Sequence, residues 1–204
     1  ELGADGLDVD WEYCDTDARH ANFAALLGAL KDAFAAEGQG WELSAAVNAS
    51  YHTPKAAAFA SLDYVNIMAY DGLLNAPYSL MERDFRALTA LGVPARRLHV
   101  GQAIYGNDRQ NWSQPGWATV VGFPGYGGYD CDAATFPATG VLQTFTGPTT
   151  YRGKVRQCLD WGAGGVMSWG YYSDTDWAHP QSLGRHQARV VWPRRAWAWP
   201  TPPR

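Results

Sequence analysis

The chain has 204 residues, a net charge of −4, 47% apolar residues and 18% charged residues. That balance describes a globular chain with a sizeable core and excludes wholesale disorder. It lacks the basic stripe that nucleic acid requires, and no apolar run approaches the roughly 18 residues of a membrane helix.

Residues 6–12 read as a strand, because Leu7, Val9 and Trp11 alternate with Asp8, Asp10 and Glu12. Residues 18–37 read as a helix: Phe23, Leu26, Leu27, Leu30 and Phe34 recur at helical spacing, and Gly38 closes it. A strand follows at 41–50, a short Ala-rich helix at 54–60 after Pro54, and a buried strand over 62–72. Ser79 and Glu82 have the spacing of a capping box, opening a helix that buries Phe85 and Leu88 and stops at Gly92 and Pro94. Residues 97–106 are a further strand. Residues 107–150, rich in Gly, Pro, Tyr and Thr, have weak periodicity and read as a functional loop or small insertion. A helix over 151–161 and a strand over 163–172 complete the pattern. After residue 184 the chain becomes rich in Arg, Trp and Pro, and 185–204 is expected to be an irregular or disordered tail.

The fold class is therefore α/β with parallel strands. Five βα-type units fit an incomplete (β/α)8 barrel, which needs eight strands and typically about 250 residues, or an open doubly wound sheet. No Gly-rich phosphate loop follows a strand to support nucleotide binding. Three cysteines, Cys14, Cys131 and Cys158, match no metal-site spacing and allow at most one disulfide. Ten Trp, eleven Tyr and seven Phe serve equally as core or as platforms for the apolar faces of sugars.

The densest chemistry lies at 5–12, DGLDVDWE. Side chains alternate faces along a strand, so Asp8, Asp10 and Glu12 share one face and Leu7, Val9 and Trp11 the other. Three carboxylates on one inward face repel one another and are costly to desolvate, so a purely structural strand would not carry them. Glu12 stands at the C-terminal end of its strand, where barrel enzymes place catalytic groups.

This stretch matches D-G-x-D-x-D-x-E and resembles the fourth-strand motif of the glycoside hydrolase family 18 chitinases. "MAYD" (68–71) resembles the family's sixth-strand motif, and "GGVMSW" (164–169) its eighth strand. "SAAVNAS" and "VGQAIYG" resemble its fifth and seventh strands. The resemblance covers roughly residues 1–177. It implies a TIM barrel of which strands four to eight are present and the first three are missing, with a partial catalytic domain over 1–184.

The resemblance further implies a retaining, substrate-assisted hydrolysis of β-1,4-N-acetylglucosamine linkages in chitin or its oligosaccharides, outside the usual two-carboxylate scheme. Glu12 would be the general acid/base, its proton held by neighbouring carboxylates, with Asp10 turning to the acetamido N–H and Asp8 sharing a proton with Asp10. Tyr70 would donate to the acetamido oxygen. Asp71, Trp169, Met68 and Tyr105 would bind substrate, with Asp71 requiring the strand to end or bend because its parity is wrong. Asp5 and Gly6 would be structural, and Trp112, Trp117, Tyr126 and Tyr129 either subsite aromatics or ordinary loop residues. No cofactor, metal, nucleic acid, membrane or obligate protein partner is expected, and the family implies secretion. The nearest rivals are an endo-β-N-acetylglucosaminidase acting on N-glycans and a chitin-binding lectin-like relative, which would typically lack the acid at position 12.

Overall fold

The computed structural model describes residues 3–50, 53–71, 75–108, 110, 113–123, 126, 130–136 and 139–192. In chain order the first elements are β1 (Gly6–Asp10), α1 (Asp17–Glu37), β2 (Glu42–Val47), β3 (Tyr64–Ile67), α2 (Tyr78–Ala90) and β4 (Leu98–Ala103). They are followed by β5 (Asn107–Asp108), α3 (Trp117–Gly122), β6 (Ala133–Phe136), β7 (Val141–Thr144), α4 (Pro148–Asp160), β8 (Gly165–Trp169) and α5 (Leu183–Val191). β1, β2, β3, β4 and β8 form one parallel sheet in that order. Parallel neighbours need crossovers, which α1, α2 and α4 supply, with a short 3-10 helix over Ala56–Ser61 between β2 and β3.

The two sheet faces carry different chemistry because side chains alternate. Leu43, Ala45, Val47, Val65, Ile67, Leu98 and Val100 point to the helices and pack with Phe23, Leu27, Met81, Phe85 and Leu88. The other face carries Ala46, Met68, Tyr70, Ala103 and Tyr105, with Tyr13 and Met167 packed against them. Val9 and Trp11 turn to the helix side as their parity predicts, Trp11 meeting Phe23 edge-to-face at 5.9 Å. Leu7 shares that parity but is 45% exposed, since β1 is a sheet edge. Among the described residues β1 and β8 pair with one strand each and not with each other.

α1 runs as its apolar spacing predicts. Thr16 Oγ1 accepts from the Arg19 N–H at 3.2 Å at its start, and Gly38, at φ 66°, ends it in the left-handed conformation that glycine adopts without a Cβ penalty. The expected capping box at Ser79 does not form. Pro77 is the N-cap residue, so Ser79 already lies inside the first turn, and Glu82 instead pairs with Arg86 at 2.7 Å.

The 107–150 segment is a small α+β insertion whose buried residues share a second core with Ile104, with Tyr151 and Val155 of α4, and with Leu183 and Val190 of α5. β5, β7 and β6 form a three-stranded antiparallel sheet, in that order. Its strands are two to four residues long, too short to show a period in the sequence. Trp117 and Tyr126 pack edge-to-face at 5.8 Å in this core and are fully buried, so neither lines a subsite. Trp112 and Tyr129 lie outside the described residues.

The boundary expected at residue 184 falls inside α5. Ser182 Oγ caps this helix by accepting from the Arg185 N–H, and Leu183, His186, Ala188 and Val190 are buried. Arg185 and Arg189 dominate the composition there and hide that spacing. The rest of the expected tail, 193–204, lies outside the described residues. Cys14, Cys131 and Cys158 are free thiols.

Candidate active site

The C-terminal ends of the parallel strands open onto a cleft of about 560 Å³. Asp8, Asp10 and Glu12 line it from β1 and the segment just beyond, facing Tyr70, Asp71 and Trp169. The three acids share one face, as their spacing predicts, although the hydrogen-bonded strand ends at Asp10.

Each acid has a different setting. Asp8 Oδ1 accepts from Asn66 Nδ2 at 2.8 Å and from Ser44 Oγ, which lies directly opposite it in the β1–β2 register. Asp10 is exposed at the cleft surface, and partial desolvation first, then the charges of Glu12 and Asp8, holds its carboxyl above the ordinary carboxylate range. Glu12 is exposed yet lines the cleft, and its carboxylate is hydrogen-bonded to the Tyr13 hydroxyl. That bond, followed by burial, pushes Tyr13 up to about 12, so its phenol keeps its proton.

Asn66, Met68 and Tyr70 all line the cleft from β3 and the residues after it, on one parity. Tyr70 is only 9% exposed, and burial, followed by the charges of Asp71, Asp10, Glu12 and Asp8, raises its hydroxyl well above the usual phenol range. It is a neutral donor at any physiological pH. Gly101, on β4, leaves room for this ring: a Cβ there would lie 2.7 Å from Tyr70 Cε1 and 2.3 Å from the Ile67 carbonyl oxygen. Met68 is buried and packs with Ala46 and Tyr70 while contributing to the cleft wall.

Asp71 reaches the cleft because the chain leaves β3 at Ile67 and Asp71 adopts φ 66°, in the left-handed region. Its Oδ1 accepts from Gln114 Nε2 at 2.7 Å and from the Tyr105 hydroxyl. Tyr105 stands one layer behind the cleft, 5% exposed and edge-to-face with Tyr70 at 6.4 Å, so it acts on the site through Asp71. Trp169, 52% exposed at the end of β8, contributes one wall and meets Tyr172 edge-to-face at 6.5 Å.

Asp5 and Gly6 lie outside the cleft. The Glu42 N–H donates to the Asp5 carbonyl at 2.9 Å, and a Cβ on Gly6 would sit 2.1 Å from the Glu42 carbonyl oxygen. Both serve the close approach of β1 to β2. Among the described residues no group of three His, Cys, Asp or Glu side chains is arranged to hold a metal ion.

The sequence matches the glycosyl hydrolases family 18 over residues 1–174. The chain belongs to that family. It is 30% identical over 239 aligned positions to Endochitinase 1 of Metarhizium robertsii, covering 90% of this chain and 54% of that protein. Among solved structures, a chitinase from Bacteroides thetaiotaomicron superposes with a TM-score of 0.80 at 18% identity, over 93% of this chain and 64% of that one. A class V chitinase from Nicotiana tobaccum, solved in complex with NAG4, superposes with a TM-score of 0.71 at 19% identity, over 91% and 68% of the two chains. The chain spans about half the length, or less, of sequence relatives such as the Metarhizium endochitinase. Its fold is that of the family 18 TIM barrels, represented here by a five-stranded parallel sheet.

Several cleft-side groups receive no role from a reading of the family 18 motifs, Asn48 and Ser168 among them. Ser44 is visible only once the β1–β2 register is known. Tyr13 has the wrong parity for the acid face, and it turns inward only because the strand has ended. Met167 stands inside the eighth-strand motif, which by itself gives it no role. Gln114 comes from the insertion, with no signal in the sequence.

Proposed function

We propose that this chain supplies the catalytic strands of a secreted chitinase that hydrolyses β-1,4-N-acetylglucosamine linkages with retention, using the substrate's own acetamido group as nucleophile. One observation carries the reading: Glu12, Asp10 and Asp8 stand in a row along one wall of a cleft whose other walls hold Tyr70, Asp71 and Trp169. The naming of the relatives as chitinases, one of them solved with NAG4, supports the substrate class.

In this mechanism Glu12 gives a proton to the glycosidic oxygen as the C1–O bond breaks. The acetamido carbonyl oxygen attacks C1 from the opposite face and forms a cyclic oxazolinium ion. Water then attacks C1, Glu12 takes a proton from it, and the ring reopens with the starting configuration. Asp10, held above the usual carboxylate range, accepts from the acetamido N–H and balances the positive charge that develops there. Tyr70 remains a neutral donor and fixes the carbonyl for attack. Trp169 offers an exposed ring face beneath the reacting sugar.

An eight-stranded barrel would place three further strands between the free edges of β8 and β1. Exposed parallel edges are aggregation-prone, so the 204-residue chain by itself should be poorly stable and inactive on chitooligosaccharides. The chemistry is tested on the full protein that carries this sequence. Proton NMR of fresh digests should show the β-anomer first, and a fully deacetylated oligomer should resist cleavage. Initial release of the α-anomer, or equal cleavage of the deacetylated oligomer, would overturn the mechanism.

A further inference from the structure

We infer that Gln114, from the insertion, is a positioning residue that fixes which oxygen of Asp71 faces the bound sugar. The inference rests on the proposed chitinase reading for its substrate, N-acetylated hexosamine oligomers, and on geometry for everything else.

Asp71 is a poor candidate to hold its own orientation. It is exposed, sits beyond the end of β3, and adopts φ 66°, a conformation disfavoured for any residue with a Cβ. Two donors compensate, and both bind one oxygen. The Tyr105 hydroxyl and Gln114 Nε2, at 2.7 Å, converge on Oδ1. Two bonds on one carboxylate oxygen fix the plane of the group and leave Oδ2 as the oxygen presented to the cleft, which Asp71 lines.

The scaffold beneath the two donors is rigid. Residues 113–117 run antiparallel to 104–108: the Gly106 N–H donates to the Pro115 carbonyl at 2.8 Å, the Asp108 N–H to the Ser113 carbonyl at 2.8 Å, and the Trp117 N–H to the Ile104 carbonyl at 3.2 Å. Tyr105 and Gly116 form a bridge within this pair. Trp117 is fully buried, and its Nε1–H donates to the Gln181 carbonyl at 2.7 Å. Tyr105 is in turn tied through its own carbonyl, which accepts from Asn75 Nδ2 at 2.6 Å. Gln114 therefore hangs from a pinned ribbon beside Tyr105, and the amide of an exposed residue acquires a fixed direction.

The test uses the full protein. Gln114→Leu should raise KM for the N-acetylglucosamine tetramer about tenfold, the loss of one hydrogen bond to a charged group, while kcat falls less than threefold. Gln114→Glu distinguishes positioning from packing. Above about pH 5 it sets a second carboxylate against Asp71, so KM should exceed that of the Leu variant. As the pH is lowered the new acid takes up a proton, can donate to Oδ1, and KM relative to the parent should return toward one. A KM unchanged in both variants, or a Glu variant whose KM ratio does not move with pH, would overturn the inference while leaving the chitinase reading intact. Absence of turnover in the parent would sink the chitinase reading instead. The positioning would then be read from the Gln114 side-chain amide resonances, which should shift in Asp71→Asn and would stay in place if the bond did not exist.

Discussion

Asn66 reaches from β3 past the intervening strand to donate its Nδ2 to Asp8 Oδ1 at 2.8 Å, and Ser44 donates to the same oxygen from β2. The innermost acid of the ladder is thereby locked in one orientation by donors from two neighbouring strands. Asn66→Leu removes one of them and leaves Asp8 held by Ser44 alone. In the full protein kcat is expected to fall about tenfold, with KM nearly unchanged, because one hydrogen bond to a charged group is lost where it orders the catalytic row. Steady-state kinetics on the N-acetylglucosamine tetramer checks this.

Asp10 makes an opposite demand on stability and on chemistry. Its native pKa lies above the unfolded value of 3.8, through partial desolvation and then through Glu12 and Asp8. An acid raised in this way favours the folded state while it is protonated, and that contribution is lost as the pH rises from the unfolded value through the native one. Asp10→Asn should therefore unfold at a higher temperature than the parent at pH 7, with the difference vanishing near pH 3, while activity is lost. Thermal unfolding at the two pH values decides it: a variant less stable than the parent at pH 7 would contradict the sign.

Gly101 is the position on β4 where Tyr70 finds its space. An added methyl group would meet the Ile67 carbonyl oxygen at 2.3 Å and the Tyr70 ring at 2.7 Å, and the first of these is backbone that cannot swing aside. Gly101→Ala is expected to cost about 1–3 kcal/mol of stability and to displace the Tyr70 hydroxyl. Denaturant unfolding alongside kcat would show both effects; a variant of parental stability and rate would mean that the ring and sheet yield freely.

Much of this site was legible in the sequence because two simple periods govern it. A period of two sorts Asp8, Asp10 and Glu12 from Val9 and Trp11, and places Asn66, Met68 and Tyr70 together. A period near 3.6 marks α1, and glycine marks its end. What stayed hidden depends on where the chain leaves a period. Tyr13 joins the cleft because β1 has already ended, and Leu7 fails to be covered because β1 is an edge. Tyr105, which the resemblance implies as a sugar contact, stands behind Asp71. Gln114 is brought in by an insertion whose short strands carry no readable pattern, and α5 was masked by arginines among its buried positions.

The central claim is that Glu12 moves the proton at the scissile linkage. Glu12→Gln in the full protein keeps the size and shape of the side chain and removes the acid, so kcat on N-acetylglucosamine oligomers should fall by about two to four orders of magnitude. The tetramer should still bind within about threefold of the parent affinity by titration calorimetry. Turnover within threefold of the parent would remove Glu12 from the reaction and with it the account of the acid row.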